Sequence, residues 1–244
     1  MKNLEYVFLL LALIAEIVGT IGGFGSSVFF VPVANFYFDF QSVLALTALF
    51  HFSSNLSKIA LFRRGLDKRL LLYIGIPSVL LVVVGGAVTK FFNTGFLEAA
   101  LGIFLVSLSL LLLVKKDLVL KPNTSNAVLG GGISGFAAGL LGTGGAIRGL
   151  AMAAFNLEKS AFIATSAFID FFVDMSRTIV YYLNGFMHED LLLYVPFLFV
   201  IGFLGTYIGR YILKFISQDN FKKTSLVLIF GIGLVTILKI VFMH

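Results

Sequence analysis

The sequence predicts an all-α, polytopic membrane protein built from two inverted repeats, and three observations lead there. Of its 244 residues 59% are hydrophobic and 12% charged, whereas a soluble domain carries roughly a quarter charged residues. Its apolar runs repeatedly approach the ~20 residues that cross a hydrocarbon layer about 30 Å thick. A glycine-rich interruption, Gly19-Thr20-Ile21-Gly22-Gly23-Phe24-Gly25-Ser26-Ser27, returns as Gly139-Leu140-Leu141-Gly142-Thr143-Gly144-Gly145, with Gly19 and Gly139, Gly22 and Gly142, and Gly25 and Gly145 each 120 residues apart. Backbone opened inside lipid persists only where protein or a polar cavity covers it, so each interruption marks a candidate site.

The first apolar segment, about 4 to 21, follows Met1-Lys2-Asn3 and has the outline of a signal peptide. Glu16 follows the apolar centre without a small-x-small cleavage pattern, so the segment is read as retained. The second, about 24 to 37, contains Pro32 and reaches only ~21 Å at 1.5 Å per residue, which suggests a re-entrant hairpin. Three longer segments, about 41 to 62, 70 to 90 and 96 to 114, complete the first repeat, residues 1–121. The polar stretch from Lys115 to Asn126 links it to the second repeat, 122–244, with segments near 127 to 141, 146 to 156, 160 to 183, 191 to 213 and 222 to 242. The total is either about six crossings plus two hairpins or about ten crossings.

Five segments per repeat is an odd number, so the second copy enters the membrane upside down. Loop charge agrees. Arg63, Arg64, Lys68 and Arg69 lie between the third and fourth segments, while the corresponding 184–190 has no Lys or Arg. The linker carries Lys115, Lys116 and Lys121, and the loop after the ninth segment Lys214, Lys222 and Lys223, against Lys90 alone at the equivalent place in the first half. By the positive-inside rule all basic loops are cytoplasmic and both termini lie outside. This distribution also accounts for the net charge of +6, which otherwise suggests nucleic acid. The bilayer, not nucleic acid, is the expected partner. The absence of cysteine excludes disulfides and thiolate metal sites.

The third segment carries Thr47, His51, Asn55 and Lys58 on one helical face, and the eighth answers with Ser166, Asp170, Asp174 and Arg177 at the same spacing, 119 residues on. Ionisable residues inside a membrane are functional candidates, at about +2.5 to +3.5 kcal/mol each on insertion scales. Each also has a structural reading: Lys58 snorkels toward Arg63, Arg177 pairs on its own helix, His51 is a hydrogen-bonded core residue or a proton relay, and Glu16 is a proton site or an interhelical tie. Arg148 sits in the first turn after Gly145, where the helix dipole disfavours a cation by about 0.3–1 kcal/mol. Asp170, Asp174 or an anionic substrate must compensate it, and a helix N-terminus is itself an anion site. Ser26 and Ser27 offer hydroxyls at the first interruption. The Phe-rich faces meet lipid or pack helices, Gly85, Gly86, Gly205 and Gly209 permit close helix approach, and Gly231-x-Gly233 lacks the context of a nucleotide loop.

From Gly22-Gly23-Phe24-Gly25 to Val31-Pro32, from Gly139 to Gly145 and in its two-repeat layout, the chain resembles the sulfite exporter TauE/SafE family of bacterial membrane permeases. The resemblance implies a multi-pass protein of the bacterial inner membrane that moves small sulfur-containing anions, such as sulfite or sulfonates, without a cofactor. It departs from the family pattern at Arg148, usually apolar, and at Met152, where a proline like Pro32 is expected. The expectation is a secondary transporter, not an enzyme, holding a small anion with Gly22, Gly23, Gly25, Ser26, Ser27, Gly142, Gly144, Gly145 and Arg148. Glu16, His51, Asn55, Asp170, Asp174 and Arg177 would couple binding to protons or balance charge, with no metal. The rival readings are a passive anion channel, an intramembrane enzyme using His51 with Asp170 or Asp174, and an assembly subunit. Oligomeric state, transport direction and the identity of the anion are not legible.

Overall fold

A computed structural model describes residues 2–22, 25–62, 65–115, 120–215, 226–227 and 229–238. The described residues form helices and connecting turns without strands. In chain order the helices are α1 (Lys2–Gly22), α2 (Ser27–Ala34), α3 (Phe40–Leu61), α4 (Lys68–Thr89), α5 (Thr94–Val114), α6 (Thr124–Leu141), α7 (Gly145–Ala153), α8 (Lys159–Leu183), α9 (Glu189–Ile212) and α10 (Ile229–Leu238). Asp39, Asp67, Asn93 and Asn123 start α3, α4, α5 and α6 by accepting hydrogen bonds from first-turn backbone amides.

The helices α4, α5 and α9 are each long and apolar enough to cross a membrane. Their exposed surfaces carry Leu80, Ile103, Val200 and Phe203, side chains suited to lipid. The two short helices are shorter than the sequence suggests. At 8 and 9 residues, α2 and α7 reach only about 12–14 Å and cannot span a bilayer. After α2 the chain turns through Asn35 to Phe38, with Tyr37 N and Phe38 N both donating to the Ala34 carbonyl. Phe8 of α1 packs on Phe30, Tyr37 and Phe38, while Ser26 meets Glu16 further along α1. So α2 runs back along α1.

Glycines set the closest helix contacts. Gly131, Gly135 and Gly139 of α6 face the Ile74, Ser78 and Val82 backbone of α4, and Gly85 faces the Phe136 carbonyl. The Ser78 hydroxyl then reaches Gly131 O at 2.9 Å, and that of Thr89 reaches Gly139 O at 3.1 Å. On the other side, a Cβ on Gly205 of α9 would stand 2.7 Å from the Glu16 side chain of α1, and one on Gly209 2.8 Å from Thr20. Each half's first helix thus packs on the other half's fourth. Gly85 and Gly205 are 120 residues apart, as are their partners Phe136 and Glu16.

Gly135→Ala should therefore force α4 and α6 apart against a backbone oxygen and destabilise the protein by about 1–3 kcal/mol. A lowered Tm in detergent is the expected result. Gly231→Ala, where an added Cβ has nothing within 4 Å, is the control that keeps the wild-type Tm.

At the centre, α3 crosses α8. Phe52 stacks on Phe171 with ring centroids 4.8 Å apart, and Asn55 Nδ2 donates to Asp174 Oδ2 at 2.7 Å. The segment leaving α3 reaches the start of α8: Gly65 abuts Ala161, and Asp67 N donates to Thr165 Oγ1 at 3.0 Å. The end of one helix therefore lies beside the beginning of the other.

Candidate functional site

The two glycine stretches meet. Helix α1 ends at Gly22, Gly25 has a φ of +83°, and α2 begins at Ser27; Gly23 lies outside the described residues. Helix α6 ends at Leu141, Gly142 has a φ of +75°, and α7 begins at Gly145. Both positive φ angles are cheap for glycine alone. A Cβ placed on Gly25 would stand 3.8 Å from Gly145 Cα, and Ser27 Oγ donates to Thr143 Oγ1 at 3.2 Å. Neither α2 nor α7 has a side-chain hydrogen bond capping its N-terminus, so first-turn amides remain available to a ligand.

A small, partly open cleft of about 10 Å³, room for one water-sized molecule, lies beside this junction, bordered by Gly25, Ser27, Gly142, Gly144, Gly145 and Arg148, and by His51, Asp170, Asp174 and Arg177. Among the candidates from the sequence, Glu16, Ser26 and Asn55 do not border it. Arg148, 2% exposed, places Nε 3.2 Å from Ser166 Oγ and pairs through Nη2 with Asp170 Oδ2. Arg177 pairs through Nη2 with Asp174 Oδ1 at 2.7 Å, and its Nη1 donates to the Gly142 carbonyl at 2.9 Å and to that of Ala138 at 3.3 Å. A cation is favoured there, since these carbonyls carry the negative end of the α6 dipole. The buried Nε of Arg177 has no hydrogen-bond partner, which is costly for a desolvated donor unless a ligand supplies an acceptor.

A second polar cluster sits behind the first interruption. Glu16 is fully buried and tied to three other helices or their ends. Its Oε1 accepts from Thr20 at 3.0 Å, Ser54 at 2.7 Å and Thr206 at 3.0 Å, and pairs with Lys58 Nζ at 2.9 Å. Its Oε2 accepts from Ser26 at 2.5 Å. Because the single Ser26 proton points at this carboxylate, His51 Nε2, 3.2 Å from the same hydroxyl, is the donor in that contact. Ser26, expected at the anion, thus faces Glu16 and His51 instead. Lys58 does not snorkel; it is 8% exposed and donates also to Ser54.

A family model described as Sulfite exporter TauE/SafE matches residues 8–236. The chain belongs to the sulfite exporter TauE/SafE family. No curated protein matches it. As a TauE/SafE member it is a membrane permease, and the match runs from α1 into α10, taking in both interruptions and both buried clusters.

Several residues of the Glu16 cluster escape sequence reading. Thr20 and Ser54 lie one helical turn from Glu16 and Lys58, a spacing that could have marked them. Thr206 had no local signal, since its carboxylate partner is 190 residues away in sequence.

Proposed function

We propose that this TauE/SafE permease is a secondary transporter that carries a small sulfur-containing anion, of the sulfite or organosulfonate type, through the cleft between the two glycine interruptions. The carrying observation is that two buried guanidinium groups, Arg148 and Arg177, border one cleft and one of them keeps an unpartnered N–H. Guanidinium groups present planar N–H arrays that match oxyanions. The first-turn amides of α2 and α7 add neutral donors, and the Ser27 hydroxyl joins them by turning its one proton away from Thr143.

Inverted repeats, 1–121 and 122–244, account for the arrangement. Three pairs of positions that the sequence equates lie against one another: Gly25 with Gly145, Phe52 with Phe171, and Asn55 with Asp174. Equivalent residues touch at a local two-fold axis. The end of α3 lies beside the start of α8, which supports opposite insertion of the two halves. Gly65 and Gly185, 120 residues apart, both adopt left-handed conformations, with φ of +91° and +77°.

Charge balance supports proton coupling. Lys58, Arg148 and Arg177 are matched by Glu16, Asp170 and Asp174. An added anion leaves the buried site one negative charge in excess, which is costly at low dielectric unless a proton enters with it. His51, Asp170, Asp174 and Glu16 are the groups placed to take it. The protein resides in the bacterial inner membrane with basic loops cytoplasmic and termini outside, needs no cofactor, and performs translocation without chemical change.

The test is uptake of labelled sulfite, and of a small organosulfonate, by proteoliposomes under an imposed pH gradient. Accumulation above the external concentration is expected. Equilibration without accumulation would establish a passive channel instead, and chemically altered product an enzyme.

A further inference from the structure

We propose that Asp170 is an internal anion that occupies Arg148 in the unloaded protein and that the substrate must displace. This rests on the anion-transport reading above and adds how its site is regulated. The two aspartates of α8 are held differently. Asp174 has one oxygen on Arg177 and the other on Asn55, with a side chain 3% exposed. Asp170 is held by Arg148 through Oδ2, and its side chain is 20% exposed. The less enclosed of the two arginine-paired carboxylates is therefore the one on Arg148.

A carboxylate and a sulfite or sulfonate group offer the same thing to a guanidinium, paired oxygens carrying negative charge. Two such anions at one arginine repel each other, so entry of one favours departure of the other. The geometry permits the exchange. Arg148 is also held through Nε by Ser166, one turn before Asp170 on the same helix, so it keeps its place when the carboxylate leaves. Asp170 already borders the cleft and has partial access to solvent. Occupation by Asp170 lowers apparent affinity by the fraction of time the arginine is taken, which lets a transporter release what it binds.

The experiment measures sulfite binding to the detergent-purified full chain by calorimetry. Asp170→Asn keeps the shape and removes the competing charge, so it should bind sulfite about tenfold more tightly than wild type. Equal or weaker binding by D170N, with clear binding by wild type, overturns the displacement while leaving the anion site intact. No binding by either protein removes the anion site itself. Should D170N fail to fold, infrared difference spectra of the wild type decide: added sulfite should shift a carboxylate stretching band, and an unchanged band overturns the proposal.

Discussion

Replacing Arg148 with alanine is expected to reduce sulfite uptake into proteoliposomes roughly a hundredfold, the loss that corresponds to about 2.7 kcal/mol of a buried charge-assisted contact. The side chain is 2% exposed at the start of α7 and borders the cleft beside both interruptions. Without it the first turn of α7 still offers amides, but a desolvated anion then has Arg177 alone among the cleft's arginines, and that group is engaged with Asp174 and two carbonyls of α6. Loss of folding is not expected, because the Asp170 carboxylate left behind is 20% exposed and can turn toward water. Arg148→Lys keeps the charge and loses the planar donor array, so it should retain intermediate uptake with a raised KM. If R148A transports at more than a tenth of the wild-type rate from monodisperse protein, Arg148 does not hold the substrate.

The helical, membrane-suited character of the chain and the meeting of its two glycine stretches were legible in the sequence, and the parts that depend on which distant side chain a hydroxyl or ammonium meets were not. The 119-residue match between the stripes of α3 and α8 aligned Asn55 with Asp174, and these two side chains are in contact, as the proposed inverted repeats would require. Phe52 and Phe171 obey the same relation but were indistinguishable from lipid-facing phenylalanines, since an aromatic ring carries no polar signal of burial. Ser26 was assigned to the anion from its place at a helix start; its one proton goes to Glu16, on a helix whose facing surface cannot be read from the local pattern. Lys58 lies near Arg63 in sequence, which made a surface location reasonable. Its carboxylate partner, on α1, decides otherwise. Helix α2 is shorter than its apolar run because hydrophobicity continues through Phe36 to Phe38 while the backbone leaves the helix after Ala34.

Glu16→Ala should destabilise the protein by about 3–5 kcal/mol, the range for breaking a buried pair by removing one partner. The change strands Lys58, whose side chain is 10% exposed, and leaves the hydroxyls of Thr20, Ser26, Ser54 and Thr206 without their common acceptor. The same cluster joins α1, α3 and α9 to the first interruption, so the position of Ser26, and through it His51, is lost with it. A double-mutant cycle separates the ion pair from the packing. Glu16→Met and Lys58→Met singly each leave one buried charge unmatched, whereas the pair of substitutions replaces two charges by apolar chains of similar length. The double variant is therefore expected to be more stable than Glu16→Met alone, measured as the denaturation midpoint in detergent. Additive losses would mean that Lys58 finds water when Glu16 is gone, and that the Glu16 hydroxyl network, not its ion pair with Lys58, holds α1 against α9.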